Sequence, residues 1–151
     1  MKSSISSLII TIVVLILGMV ILPIYIKSMV NSRDDAVRVQ NAVRNFIDIC
    51  IDNQKIPEEA IADFNLELAA CTASYTYTLY RDKKVVSPDG KGGFVVTWVT
   101  VEVHPGDTLV QGDFIIVEAK QDSLSIFQRL SSILNSTSYN GGKTRLSGMV
   151  R

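Results

Sequence analysis

One histidine, two cysteines, two glycine-flanked aspartates and a glycine-rich loop make up the chemistry on offer in this sequence. His104 has the only side chain whose ordinary pKa suits proton transfer near neutral pH. It precedes Pro105-Gly106-Asp107, a turn signal, and reads as an exposed turn residue. No second histidine and no serine or cysteine in a recognisable nucleophile setting accompanies it, so a hydrolytic triad has no support. Cys50 and Cys71 form no C-x-x-C pair and stand far from His104, which leaves a metal site nothing to build on. Asp89-Gly90-Lys91-Gly92-Gly93 has the glycines of a phosphate cradle but neither the spacing nor the following helix of a P-loop; a hairpin turn is the simpler reading. Asp107 and Asp113 each follow a glycine and lack the ligand pattern of a calcium loop. Tyr75, Tyr77, Tyr80 and Trp98 fall on strands, where aromatics serve as core and cross-strand pairs more often than as a binding surface. These residues predict no enzyme, no cofactor and no metal.

The elements that would position any site begin with an uncharged run. From Leu8 to Ile26 only Thr11, Gly18, Pro23 and Tyr25 interrupt the aliphatics. At about 1.5 Å per residue the run spans ~30 Å of hydrocarbon, and a segment this apolar must be helical there because lipid satisfies no backbone group. A secretory signal peptide is the rival reading, but the apolar run is long for one and no Ala-x-Ala-like site follows Pro23. Residues 1–27 therefore read as a transmembrane anchor and 28–135 as a stalk and one small domain, with 136–151 a loose tail. Acidic and basic residues balance at fifteen each, so no basic field points to nucleic acid and the flanking charges leave the membrane orientation undecided.

Beyond the anchor the pattern turns striped. Ala36, Val39, Val43, Phe46 and Cys50 share one helical face, and a single bent rod through Pro23 to Asn53 is preferred over a separate helix capped by Asn31 or Ser32. Pro57-Glu58-Glu59 opens a second helix carrying Ile61, Phe64, Leu68 and Cys71 on one side. Strands are expected over Ser74–Arg81, with Lys83–Val86 extending or following, over Phe94–Val103 and over Phe114–Ala119, separated by Pro- and Gly-rich turns. Ser123 or Asp122 caps a last helix with Leu124, Phe127, Leu130, Ile133 and Leu134 on its apolar face, and the Ser-, Gly- and Asn-rich tail reads as loop or disorder. The fold class is α+β: a long first helix, a short second one, an antiparallel sheet of three or four strands and a carboxy-terminal helix.

The two cysteines pose a question of geometry. Strict antiparallel packing of the two helices would leave Cys71 roughly 20 Å from Cys50, far beyond the ~4–7 Å between Cα atoms that a disulfide tolerates. A steep crossing or early fraying would permit the bond. Two buried thiols are the favoured alternative.

This layout resembles type IV pilins and pseudopilins, and the sequence is similar to the small TadE-like membrane proteins of tight-adherence (Tad or Flp type) pilus and secretion systems. The resemblance is carried by the apolar start Leu8–Ile26, the Lys55-Ile56-Pro57-Glu58-Glu59 junction before a Tyr-rich strand, the segment Gln111–Ala119 followed by Ser123–Ile133, and Ser147-Gly148-Met149-Val150. It implies a cytoplasmic amino terminus, an extracytoplasmic domain, and as partners the lipid bilayer, other pilin-like subunits or assembly proteins and copies of the chain itself. The chain departs from major pilins: no acidic residue precedes Asp34, and Gly18 lies deep in the apolar run. A minor or accessory subunit with an intact amino terminus is the expectation. Lateral contact would then use Gly18 and Pro23 in the membrane segment and Val30 and Val39 just above it, where less chain is available to cover them, while Val43 to Cys50 face the domain. A membrane-tethered binding module and a single-pass regulatory subunit of a membrane complex are the other classes left open.

Overall fold

The computed structural model describes residues 2–122 and 142–151. Helix α1, Lys2–Asn53, is a single helix of 52 residues with Pro23 inside it, about 80 Å long. Neither Asn31 nor Ser32 starts a new helix, so the rod reading holds. Among the described residues α1 is the one helix long and apolar enough to cross a membrane. Its side chains from Leu8 to Ile26 are exposed throughout, whereas Val39, Val43, Phe46 and Cys50 are buried. One helix thus serves two surroundings.

Helix α2, Glu58–Ala69, begins after Pro57, whose extended backbone ends the link from α1, and Glu58 and Glu59 occupy its first turn. It runs back along α1. The Phe64 ring stacks on Phe46 with centroids 5.0 Å apart, and the Thr72 and Ala73 amides just beyond α2 donate to the Asp35 carboxylate, both at 2.9 Å. Because α2 lies this flat, Cys71 ends beside Asp35, about 22 Å of helix away from Cys50. Both cysteines are free, as antiparallel packing requires.

Four strands follow: β1 Tyr75–Pro88, β2 Phe94–Glu102, β3 Phe114–Gln121 and β4 Lys143–Met149. They form one antiparallel sheet in the order β2-β1-β3-β4. Alternation sends Tyr75, Tyr77, Leu79, Ile115, Val117, Ala119 and Leu146 toward the helices, where they meet Val39, Val43, Phe46, Ala60, Phe64 and Leu68. The edge of the Phe64 ring seals this layer against Tyr77 at 4.9 Å. Lys83–Val86 extends β1 as one strand.

Two expectations about the carboxy-terminal part fare differently. The helix expected over Ser123–Leu134 falls outside the described residues. From Lys143 to Met149 the tail, expected as loop or disorder, is instead the edge strand β4, with Val150 beyond it wholly buried. Its reason is the open side of β3: from Lys120↔Lys143 to Phe114↔Met149 the backbone groups of β3 pair with it, and the Val150 amide continues the ladder to Asp113 O. Gly148 lets this strand sit close to α1. A Cβ there would come to 2.5 Å from Ile47 Cγ2 and 2.7 Å from Ile51 Cδ1.

Gly148→Val should therefore destabilise the domain by about 1–3 kcal/mol, through forced movement of Ile47 and Ile51. Urea unfolding of the detergent-solubilised full chain, followed by near-ultraviolet circular dichroism, reads the shift; an unchanged midpoint would show that β4 does not press on α1.

Candidate functional site

A reactive centre does not assemble among the described residues. His104 is exposed, and its backbone amide donates to the Asp107 side chain at 2.8 Å within the turn. Asp113 accepts from the Val110 amide and faces Arg81 Nε at 3.6 Å, while Arg81 Nη1 donates to Thr108 O. These groups tie the Val103–Phe114 connection to β1. No cluster of three or more potential metal ligands occurs among the described residues.

The glycine-rich loop is a hairpin tip. Gly90 and Gly92 take φ of +72° and +88°, values open to glycine at little cost. One Asp89 carboxylate oxygen accepts both the Lys91 and Gly93 amides at 2.8 Å. The donors that would cradle a phosphate already hold an internal anion, and those same bonds push the Asp89 carboxyl below its ordinary value.

What remains is surface, and it begins on α1. Gly18 has open space at its Cβ position and Pro23 is exposed, so both stand on the uncovered membrane-length half. Val30 is 51% exposed. Val39 differs from expectation: it is completely buried in the chain's own core. The physical cause is the reach of α2, whose end is held against Asp35 and so roofs the stalk one turn lower than the residue count suggested. Met29, Val30 and Val37 are the apolar stalk residues left bare. Beside them lies a shallow groove with Arg33, Asp34, Arg38 and Glu67 in its walls.

Asp35 is the residue that sequence reasoning missed. It is 6% exposed and receives two backbone amides. A signal was present: Asp35 lies four residues before Val39, in phase with the buried stripe, while Ala36 points to solvent.

Burial pushes Cys50 up to about 12, and burial followed by the nearby Asp35 charge raises Cys71. Neither has the electropositive, exposed setting of a reactive cysteine.

Comparison with protein-family models, curated proteins and solved structures returns no match.

Asp35→Ala should cost about 1–3 kcal/mol, because it strips the acceptor from two amides at once, and Asp35→Asn should cost less because it keeps one oxygen. Urea midpoints of the three full-length proteins decide this; equal midpoints would remove Asp35 from the account of α2 docking. Thiol titration offers a second check. At pH 8 the native chain should alkylate only at Cys71, with Cys50 reacting after denaturation. The raised Cys50 value contributes stability that is complete below the ordinary thiol value and is lost as pH climbs toward about 12.

Proposed function

We propose that this chain is a non-catalytic, single-pass membrane subunit, similar to a minor pilin or pseudopilin, that associates laterally with like subunits of a pilus or secretion assembly through α1. The observation that carries the reading is the division of α1 into a bare half and a sheathed half within one continuous helix. A helix needed only as a tether could end at the bilayer surface; here the same rod supplies the floor of the domain's core, so sideways movement of the anchor moves the domain with it. Rigid coupling of this kind suits a subunit whose position in a larger array matters.

Within lipid, hydrophobicity does not draw two such helices together, and association depends on close packing. Gly18 removes a side chain midway along the apolar run, and the β-branched Ile9, Ile10, Ile12, Val13 and Val14 present stiff, grooved surface on both sides of the helix. Above the membrane, Met29, Val30 and Val37 extend this apolar strip upward until α2 covers the helix. In this reading the amino terminus lies in the cytoplasm and the domain outside.

Single cysteines at Val30 and Val37, in a Cys71→Ser background and in native membranes, should crosslink to the same chain or to another helical membrane subunit, with Val39→Cys silent because that position is buried. Absence of crosslinks at both exposed positions, in a protein that is folded and membrane-inserted, would overturn lateral assembly and favour a tethered binding module.

A further inference from the structure

The sheet carries an arm that no part of the described chain covers. β3 pairs with β1 only as far as Asp82↔Phe114, but β1 and β2 continue together to Pro88↔Phe94. Their ribbon therefore runs about 20 Å past the end of β3. It leaves the sheet at the end far from the membrane segment. Asp35 fixes the start of β1 low on α1, whereas the opposite end meets Ile47, Ile51 and the Gln54–Ile56 link.

The arm carries exposed apolar side chains on both faces, with Lys83 and Lys84 at its base opposite Val99 and Trp98. Val86, Val96 and Trp98 are exposed on one side and Val85, Val95 and Val99 on the other, with Phe94 at 76% exposure. The Trp98 ring meets the Phe114 ring with centroids 5.4 Å apart. An exposed patch of this kind marks a contact surface.

Its edge is equally open. The Val103 amide donates to Leu79 O and the Asp89 amide to Gly93 O. Hydrogen-bonded and non-bonded pairs alternate in an antiparallel ladder, so the odd-numbered residues of β2 bond β1. Phe94, Val96, Trp98 and Thr100 consequently turn their N–H and C=O groups outward. No lysine, proline or charge interrupts Phe94–Val101, and those are the devices by which edge strands resist pairing.

We infer that β2 is a docking edge for β2 of a second copy of this chain, joined antiparallel about a two-fold axis through Thr97. In that register Val96 bonds Trp98 and Phe94 bonds Thr100 across the axis, and Glu102 falls beyond the paired stretch. The strand meets itself without a charge clash, which a two-fold contact requires since each surface must complement its own copy. The sheet's other edge, β4, carries Lys143 and Arg145 and would repel itself. A two-fold along the strand, as between neighbours standing in one membrane, would set N–H against N–H at every level. The antiparallel pairing sends the two α1 rods in opposite directions, and the length of the arm keeps the domains apart. The contact thus joins chains rooted in facing membranes and does not depend on lateral association through α1.

The test uses the full chain in detergent micelles, where orientation is free, with Cys71→Ser. Thr97→Cys lies opposite its own copy in a non-bonded pair, about 4.5 Å between Cα atoms, and should oxidise to a covalent dimer. Val95→Cys should not, because its copies stand about 14 Å apart. Val96→Pro removes an outward N–H without touching a bond to β1 and should weaken the dimer about tenfold or more. Val96→Lys is the companion variant should proline disturb the hairpin. A chain that stays monomeric with Thr97→Cys unlinked, or that links as readily through Val95→Cys, overturns the proposal. Crosslinks at Val30 report on lateral assembly separately, so either reading can fail alone.

Discussion

A single shared face governs this molecule: the stripe of α1 from Asp35 to Cys50, against which α2, β3 and β4 pack. The sheet has no second layer of its own on that side, and α2 is too short to supply one. Phe46 in particular is held between the Phe64 ring and the surrounding core, and Phe64 in turn meets Tyr77 on β1. Remove the stripe and three separate contacts lose their common partner. This explains why the helix continues unbroken past the length that a membrane requires, and why Pro23, which removes one backbone hydrogen bond, is tolerated where it lies, in the segment that packs against nothing in the domain.

The clamp at Asp35 sets where the domain ends on the rod. Its two amide contacts come from the link between α2 and β1, so one carboxylate fixes both the tilt of α2 and the starting height of the sheet. Everything above is then placed by ladder register. The turn network at the far end, with the Ile56 and Leu109 amides bonded to Asp107 O and Gln54 O, closes the sheet's other end onto the top of α1. The protein is held at two heights, and the arm lies beyond the upper one.

Much of this was legible in the residues. The apolar run, the striped continuation, the Pro57 start of α2 and the β-branched runs of β1, β2 and β3 each follow from local periodicity, and local periodicity is what a sequence displays most directly. β4 was not legible for an equally physical reason. Lys143–Met149 offers only Leu146 as a large inward residue, with Thr144 and Gly148 beside it, and its strand conformation comes from the vacant side of β3, a partner distant in sequence. Val39 was misplaced because its cover arrives from α2, whose reach depends on Asp35. The arm was visible as a hairpin but not as an overhang, since the point at which β3 stops pairing is a property of the sheet.

The position of β4 also bears on how such a chain is made. Gln54, at the top of α1, donates to Arg151 O across 97 positions of sequence, and Val150 and Gly148 close the core against the same helix. The stripe of α1 from Val39 to Cys50 is synthesised well before β4. Until β4 is synthesised, the apolar side of the stalk lacks the strand that closes over it. Contacts so widely separated along the chain form slowly, and exposed apolar surface on an unfinished domain invites wrong partners. The interval between synthesis of Val39 to Cys50 and the arrival of β4 is therefore when a chain of this topology is most open to wrong contacts.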